Sequence, residues 1–507
     1  MRCCSSHASG VTRRQFLQGT SGVAAAALAA TSASAARDED ERTDWGEYVI
    51  RGARSLTVLP VLIHDLPEPV ELTSWRSWGG VQTEEMANEE VARITNELER
   101  LARKADFAID LLPVARILGA GDVVSIPRKE RADVVIIYAA GGGMDTFDAL
   151  AGLGKPVIFF IRHKSGPYYL WHEIVSARYL RQHTDGVAKE NVGPRDVVVD
   201  DTDELLWRLR GIYGLRNTMG RRILAVGGPG GWATGAAPDL ARERFELDMQ
   251  TVAYPDLQGL IKSRRAQPAA MKRARLDAAE YLDDGKLELG TEEDLVVNAF
   301  VLAEAFRELM DQAEAEAITV NGCMGQIMPV AEAAPCLTLS LLNDMGYMAY
   351  CESDFVVIPS GILTHYISGK PSFFCNPTWP HAGHTVFAHC TAPRRMDGKR
   401  LEPVKVITHF ESDLGPAPKV EMRKDEVMTF VMPNFQANHW SGLLCRVVDN
   451  PFLPICRSQV EVEIMGDWEA YTENQEGFHH MGVYGDYRRE TGYAVAKAGL
   501  GWTDYGA

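Results

Sequence analysis

Residues 133–145, DVVIIYAAGGGMD, decide the fold class of this chain. A continuous run of β-branched and aromatic residues at 134–138 leads within two residues into three consecutive glycines. A short apolar run that ends at a turn signal is typical of a strand buried on both faces, as in parallel sheets covered by helices. The stretch therefore predicts an α/β protein.

The neighbouring segments continue this pattern. SLTVLPVLI at 55–63 and KPVIFFI at 155–161 predict two further strands, and the three- and four-residue apolar spacing at 88–105 predicts a helix. Strands that alternate with helices indicate βαβ units and a parallel sheet. We therefore assign residues 46–215 to a first Rossmann-like domain.

A second α/β unit follows. RRILAVGGPGGWA at 221–233 predicts a strand and a glycine turn, and the apolar periodicity at 291–317 predicts a long helix before the strand at 318–322. We assign residues 216–345 to a second Rossmann-like domain. After about residue 345, short β-branched runs separated by turn residues predict a β-rich C-terminal domain at 346–507.

The two glycine-rich loops do not carry a nucleotide signature. AAGGGMD and VGGPGGW lack the spacing GxGxxG and the Lys-Ser/Thr pair of a phosphate loop. They are interpreted either as tight turns or as contacts to sugar hydroxyls at the mouth of a sheet.

Composition restricts the class of partner. The chain has 507 residues, 46% of them hydrophobic, and a formal charge of −17. The length suffices for several cores, and the acidic balance disfavours nucleic acid or an anionic membrane surface as the main partner. Seven cysteines lie between Cys323 and Cys456 without a CxxC pair, so neither a zinc-knuckle spacing nor a disulfide framework is visible.

The N-terminus is similar to a twin-arginine export signal. TRRQFL carries Arg13 and Arg14, an alanine-rich stretch follows, and Ala33-Ser34-Ala35 is a small-residue cleavage pattern. We expect residues 1–35 to be a signal peptide and the protein to be exported folded, to the periplasm or outside the cell. No later segment reaches the roughly 18 apolar residues of a membrane span, so no stable membrane anchor is expected.

The stretch PSFFCNPTWPHAGHTVFAHC at 371–390 holds the densest group of candidate ligands, with His381, His384 and His389. A metal site, a histidine-lined sugar pocket and a coincidence of loop composition all explain it. His381 and His384 lie in a Pro/Gly loop that favours exposure. His389 ends an apolar run, which suits a core histidine as well as a ligand.

Acidic and amide side chains flank this stretch. Glu352 and Asp354 lie two apart at a predicted strand end, so both can project from one face. Glu352 is placed in an apolar setting and needs a partner, which can be a site or an ion pair with Arg394 or Arg395. Asn376 before Pro377 is either a turn-starter or part of the same site.

His479 and His480 are adjacent in a predicted strand near the C-terminus. Neighbouring side chains in a strand point to opposite faces. At most one of the two histidines is therefore expected to serve the site.

Five motifs in order, LLND.G…CESD, SGKPSFFCNPT, VFAHCTAP, ITHFESDLG and HHMGVYGDYRRE, resemble the L-fucose isomerase and L-arabinose isomerase superfamily, in particular its fucose-isomerase-related branch. The resemblance runs from about residue 133 to 489. It implies two Rossmann-like domains followed by a β-rich domain, and metal-assisted aldose–ketose isomerisation, typically with manganese. It also implies a homo-oligomer, a trimer or hexamer, whose ligand is a small sugar.

The resemblance places the site residues on this sequence. Glu352 falls on the first acidic metal ligand, which also moves the proton, and His389 and His479 fall on histidine ligands, with His480 as an alternative register. The second acidic ligand falls on Asn376, whose amide can donate an oxygen to a metal but cannot accept a proton at neutral pH. Asp354, Glu411 or a metal-bound water are the candidates to replace the missing acid.

Three functions follow as hypotheses. The first is a Mn²⁺-dependent isomerase or epimerase acting on a pentose or deoxyhexose through an enediol(ate), with Glu352 and Asp354 as catalytic groups and Glu352, Asn376, His389 and His479 as ligands. The second is a carbohydrate-binding protein that keeps the scaffold without turnover. The third is another enediolate reaction, such as a lyase.

Overall fold

The computed structural model describes residues 45–169, 174–186 and 191–506. The predicted signal peptide at 1–35 lies outside the described residues.

The first unit is a six-stranded sheet in which every pairing is parallel. Its strands are β1 (Leu56–Ile63), β2 (Ile109–Leu111), β3 (Ala115–Ile117), β4 (Val134–Ala139), β5 (Val157–Ile161) and β6 (Val197–Val199). Their order is β2-β1-β4-β5-β6, and β3 also pairs with β1. Its helices are α1 (Glu84–Lys104), α2 (Met144–Ala151) and α3 (Thr202–Thr218). All six residues of β4 are buried, as its unbroken apolar run requires.

The second unit contains a four-stranded parallel sheet of order β11-β10-β7-β8. The strands of this part of the chain are β7 (Arg222–Val226), β8 (Asp248–Val252), β9 (Leu287–Leu289), β10 (Ala317–Val320) and β11 (Met348–Cys351). The helices are α4 (Ala237–Phe245), α5 (Tyr254–Arg265), α6 (Pro268–Leu282), α7 (Glu293–Ala313), α8 (Met328–Ala331) and α9 (Cys336–Asp344). β11 lies just past residue 345 but still belongs to this parallel sheet. Its carboxyl end leads directly into the C-terminal part of the chain.

The C-terminal part is built mainly of antiparallel strands. They are β12 (Phe373–Pro377), β13 (His384–His389), β14 (Val404–Ile407), β15 (Ala417–Val420), β16 (Val427–Pro433), β17 (His439–Asp449), β18 (Ser458–Ile464), β19 (His480–Tyr484) and β20 (Gly501–Asp504). Seven of them form a sheet of order β16-β19-β12-β13-β18-β17-β20, in which β16 also pairs with β17 and only β17–β20 is parallel. β15, β14 and β9 form a small separate sheet.

Three helices accompany these strands: α10 (Ile358–Ser368), α11 (Trp468–Glu473) and α12 (Arg488–Lys497). Every residue of α10 is buried, so it carries no polar face, and the helical spacing of an amphipathic segment is missing from its sequence. Both α10 and α12 pack against α3 of the first unit. The C-terminal part is therefore anchored on the N-terminal unit.

Within the described residues, no single helix is long and apolar enough to cross a membrane, although one pair bent by 84°, Cys323–Ala331 followed by Cys336–Asp344, meets the test by length and composition alone.

The coarse fold prediction is confirmed: a mixed α/β chain with two parallel sheets precedes a mainly antiparallel C-terminal region. The strands expected near residues 55–63, 155–161 and 318–322 are present at Leu56–Ile63, Val157–Ile161 and Ala317–Val320. The helix expected at 291–317 spans Glu293–Ala313. The predicted domain boundaries remain predictions.

Candidate active site

Glu352 lies at the carboxyl end of the second parallel sheet, directly after β11. The backbone φ angles are 67° at Glu352 and 48° at Ser353, so two consecutive non-glycine residues adopt the left-handed conformation. Such backbone persists only where the surroundings enforce it, and it is concentrated at functional sites. The carboxyl edge of a parallel sheet is also where open α/β folds bind ligands.

The Glu352 carboxylate lies between two buried histidines. Its Oε1 is 3.4 Å from Nε2 of His389, the last residue of β13, and its Oε2 is 3.4 Å from Nε2 of His479, just before β19. These are ion-pair distances rather than well-formed hydrogen bonds. Neither Nε2 atom has a hydrogen-bond partner among the described residues. Two imidazole nitrogens thus converge on one carboxylate without close partners of their own.

Asp354 lies on the other side of the His479 ring. Its Oδ2 is 2.6 Å from Nδ1 of His479, and its Oδ1 accepts hydrogen bonds from the backbone N–H groups of Trp232 and Val356, both at 3.2 Å. Because a carboxylate only accepts, Nδ1 carries a proton, and Nε2 faces Glu352, where it presents a lone pair only after the imidazolium has lost its second proton. Histidines that bind a metal commonly donate their other ring N–H to a carboxylate in this way, which fixes the orientation of the ring.

Electrostatics couples these three side chains. Burial works against the charge of Glu352, but the neighbouring His389 and His479 imidazoles outweigh it and hold the pKa of Glu352 well below its usual range. Burial also lowers the pKa of His479, yet Asp354 and Glu352 together raise it to about 9. Without a cation the group therefore holds a proton on His479, which a divalent ion would displace.

A cavity opens beside this group. Glu352, Asn376, His389, His409 and Glu411 contribute to its wall. Asn376 is half-buried in β12, where it pairs with Ala388 of β13, and Glu411 is exposed. The structure thus brings Glu352, Asn376 and His389 to one cavity.

Cysteine thiols make up much of the remaining cavity wall, and the sequence analysis missed them. The cysteines concerned are Cys323, Cys336, Cys351, Cys390 and Cys456. Two groups of side chains in the described residues have donor atoms close enough to hold a metal: Cys351 with Glu352 and His389, and Cys336 with Cys390 and His409. Their members come from separate segments, so no CxxC spacing could reveal them.

His409 is a further cavity residue that the sequence analysis did not single out. Its Nδ1 lies 3.1 Å from the Ser412 hydroxyl, so Nε2 is the ring nitrogen that Ser412 does not engage. Burial, with smaller effects from the charges of His389 and Arg457, lowers the pKa of His409 to about 4. The imidazole is therefore neutral at neutral pH, as a metal ligand must be.

Aromatic rings enclose the two site histidines. Phe374 lies with its ring centre 4.7 Å from that of His389 and 4.5 Å from that of His479. Phe478, which lines the cavity, stacks on Trp232 at 3.9 Å. Trp232 follows the second glycine loop directly, and this position is the sequence signal that could have pointed to it.

The second glycine loop supports the site through its backbone. Gly230 forms a parallel bridge with Asp354, and its carbonyl accepts a hydrogen bond of 3.0 Å from the N–H of Phe355. A Cβ added to Gly231 would lie 2.2 Å from the Thr234 carbonyl oxygen, so this loop position needs glycine. The sequence allowed two interpretations of this loop, a tight turn or contacts to sugar hydroxyls. The structure shows a tightly packed backbone turn beside the site.

Other candidate residues lie elsewhere. His381 is exposed, and the half-buried His384 has its Nδ1 3.4 Å from Glu461. Neither contributes to the cavity wall. His480 is buried with its Nε2 3.0 Å from the Tyr471 hydroxyl, and burial, together with the nearby His479, lowers the pKa of His480 to about 3. Only His479 of the adjacent pair contacts Glu352.

The arginine partners considered for Glu352 are engaged elsewhere. The Arg394 guanidinium donates to Asp284 Oδ2 at 2.6 Å, and the Arg395 guanidinium donates to the Lys399 carbonyl oxygen at 2.8 Å. Glu352 has histidine partners instead, which favours the interpretation as a site over that as a structural ion pair.

Comparison with known proteins adds little to this geometry. The chain matches no protein-family model and no curated protein. Among solved structures it is similar to a LacI family transcription regulator from Clostridium acetobutylicum, with 9% identity and a TM-score of 0.15, over 52% of this chain and 78% of that chain. A similarity at this TM-score carries no argument about fold or function.

Proposed function

We propose that the protein is a metal-dependent aldose–ketose isomerase, or epimerase, that acts on a free pentose or deoxyhexose through an enediol(ate). The single observation that carries the proposal is the position of Glu352, with its two carboxylate oxygens each 3.4 Å from an unpartnered histidine Nε2. The proposal includes the finer description of the two parallel-sheet units as tandem Rossmann-like domains.

The donor set fits a divalent cation. Glu352, His389 and His479 offer one carboxylate and two imidazoles, and Asn376 offers an amide oxygen from the same cavity wall. These oxygen and nitrogen donors suit Mn²⁺, and the neighbouring Cys351 thiol adds a softer donor that the sequence pattern did not predict. When bound, such an ion polarises the carbonyl and hydroxyl oxygens of a sugar.

The protein side chains then perform the proton transfers. Glu352 removes the proton from the carbon next to the carbonyl, and the C–H electron pair forms the carbon–carbon double bond of the enediol(ate). Return of the proton to the adjacent carbon gives the isomer, so no outside oxidant or reductant is needed. Asp354 orients His479 through the 2.6 Å contact at Nδ1.

The hydroxyl proton needs a second acid–base group, because the Asn376 amide cannot accept it. Asp354 is turned toward His479, whereas Glu411 lies in the cavity wall. We therefore favour Glu411 for this role.

Replacement of Glu352 tests the proposal. Glu352→Gln keeps the size of the side chain but removes the base and the anionic ligand. We expect deuterium transfer from solvent to the carbon next to the carbonyl to fall by about 10²–10⁴-fold, as general bases typically contribute, across a panel of pentoses and deoxyhexoses followed by NMR. Manganese content should fall in parallel.

A matched control is available at Glu461, which contacts a different histidine, His384, outside the cavity. Glu461→Gln should leave deuterium transfer and manganese content unchanged. Wild-type protein that carries no divalent ion and exchanges no deuterium with any sugar of the panel would contradict the isomerase proposal.

Asn376 in the cavity wall favours a second candidate, a carbohydrate-binding protein that has lost turnover. Such a protein would bind a pentose or deoxyhexose in calorimetry without exchange of the carbon-bound proton. Restoring the acid with Asn376→Asp distinguishes the two candidates. Exchange that appears only in this variant would identify the binding protein.

Export and assembly complete the proposal. We infer that residues 1–35 direct folded export through the twin-arginine pathway and that the mature chain forms a trimer or hexamer. The twin arginines at 13 and 14 support export, and the resemblance to the isomerase family supports the oligomer.

A further inference from the structure

The thiols of this protein are not scattered through its core. Of the seven cysteines in the described residues, five line the cavity beside Glu352. The other two, Cys375 and Cys445, are buried in β12 and β17. Such a concentration of thiols on one cavity wall is itself a feature that needs a chemical explanation.

Strand register brings two of these thiols together. The antiparallel ladder of β13 and β18 ends with His389 opposite Ser458, so Cys390 and Cys456 lie just past the last paired residues. The nearby Cys390 thiol, together with burial, raises the pKa of the Cys456 thiol. The two residues are 66 positions apart in the sequence but adjacent in space.

A loop brings an imidazole and a third thiol to the same place. The backbone carbonyls of Gly415 and Pro416 accept hydrogen bonds from the N–H groups of Ala334 and Leu337. This contact holds the loop of residues 408–416 against the start of α9, where Cys336 is the first residue. The N–H of His409 donates to Leu414 within the same loop, which fixes the backbone of His409.

The resulting distances suit a tetrahedral ion. The ligand atoms of Cys336, Cys390 and His409 all lie within 4.8 Å of one another, and all three residues are buried. Around a tetrahedral Zn²⁺ with Zn–S bonds of about 2.3 Å, ligand sulfurs lie roughly 3.8 Å apart. Closing around the ion therefore requires contraction by at most about 1 Å.

We propose that Cys336, Cys390 and His409 form a second metal site, selective for a thiophilic ion of the zinc class, and that the Cys456 thiol, which lines the same cavity but lies outside the 4.8 Å group, moves in as the fourth donor. Three sulfurs and one imidazole nitrogen make a complete tetrahedral set, which is the composition of closed structural zinc sites. Thiolate donors select such ions over manganese. This site shares no donor with the group of Cys351, Glu352 and His389, and it does not depend on the proposed isomerase activity.

The site would connect four segments of the cavity wall. They are the start of α9, the end of β13, the 408–416 loop and the segment before β18. Cys390 directly follows His389, so an ion held at Cys390 also fixes the position of a Glu352 partner. An ion at the proposed thiol site would therefore stabilise the position of His389 beside Glu352.

Cobalt substitution of the full mature chain tests the proposal. Tetrahedral Co²⁺ bound to thiolates gives an intense thiolate-to-metal charge-transfer band, which oxygen and nitrogen donors do not give. We expect this band in the wild-type protein, its displacement by zinc, and its loss in Cys336→Ser and Cys390→Ser. Cys375→Ser and Cys445→Ser remove equally buried thiols elsewhere and should keep the band.

Two further measurements keep the test decisive. In wild-type protein, zinc should protect Cys336, Cys390 and Cys456 from alkylation, as mapped by mass spectrometry, without any substitution that could impair folding. Glu352→Gln should lose manganese but keep the cobalt band, so that failure of one site is distinguishable from failure of the other. Absence of the band, its persistence in Cys390→Ser, or a Cys390–Cys456 disulfide in the zinc-treated protein would each overturn the proposal.

Discussion

Two adjacent residues, Glu352 and Ser353, hold the backbone conformation that presents the candidate base. Both have positive φ angles, and Ser353 is fully buried with a hydroxyl that has no hydrogen-bond partner among the described residues. A left-handed conformation costs a residue with a Cβ roughly 1–2 kcal/mol relative to glycine. This segment is therefore locally unfavourable, and its neighbours enforce it.

Replacing Ser353 separates the sources of this cost. Ser353→Ala removes the unpartnered hydroxyl but keeps the strain, whereas Ser353→Gly removes both. Glycine also has more conformational freedom in the unfolded chain, which offsets part of the relieved strain. We therefore expect the free energy of unfolding of Ser353→Gly to be higher than that of Ser353→Ala by only about 0.5–1 kcal/mol. Urea denaturation of the metal-free proteins measures the difference. If the alanine variant is the more stable of the two, the strain at residue 353 is not significant.

At the scale of a single element, helix α9 ends on a buried acid. Asp344 is 3% exposed, and among the described residues only its Oδ1 has a hydrogen-bond partner, the N–H of Arg395. Burial raises the pKa of Asp344 to about 6 despite that hydrogen bond and the nearby Arg394. The folded state therefore binds the proton more tightly than the unfolded state, whose value is about 3.9.

This shift predicts a pH dependence of stability. The contribution of Asp344 is fully present below about pH 4 and is lost as the pH rises through 6, a change of roughly 3 kcal/mol. Asp344→Asn should therefore be more stable than wild type at pH 7.5, and the advantage should shrink toward pH 4.5. Urea midpoints at both pH values measure the effect.

Asp284 provides a control of opposite sign. Burial opposes its charge, but hydrogen bonds from the Lys286 N–H and from Arg394 lower the pKa of Asp284. Asp284→Asn should therefore lose stability at neutral pH and lose less of it in acid. If the difference in stability between Asp344→Asn and wild type is the same at pH 4.5 and at pH 7.5, residue 344 does not titrate in this range.

At the scale of the whole molecule, the two donor sets explain why folding before export would matter. Zinc and copper bind oxygen and nitrogen donors more tightly than manganese does, so the proposed site at Glu352 would acquire manganese only where those ions are scarce. The cavity thiols would also have to bind their proposed ion before export to an oxidising exterior. Folding in the cytoplasm would meet both requirements.

Exchanging the leader tests this account. With residues 1–35 replaced by a general secretory leader, we expect a poorly folded protein or one that has lost manganese or iron in favour of excess zinc or copper. The mature chain made in the cytoplasm should retain manganese or iron. Metal analysis and sugar-dependent deuterium exchange of the two preparations provide the comparison, and equal results by both routes would contradict the account.

The sequence by itself determined the layering of this protein. The unbroken apolar run at 134–138 is typical of a strand covered on both faces, and β4 is fully buried in a parallel sheet. Short β-branched runs separated by turn residues, such as that of β18, likewise predicted the β-rich C-terminal part. Helix α10 escaped prediction because an element buried on every side has no amphipathic period to detect.

The residues of the candidate site also fall into two groups: those that the sequence indicated and those that only the tertiary structure placed there. Glu352, Asn376 and His389 stand out in the sequence as polar residues at the ends of apolar runs, whereas the resemblance to the isomerase family favours His479 over His480. Only the tertiary structure decided that Asp354 lies behind His479 and that His409 and five thiols share the cavity with Glu352. The physical reason is that these contacts depend on strand register and on loop packing between segments tens of residues apart, and neither leaves a local pattern in the sequence.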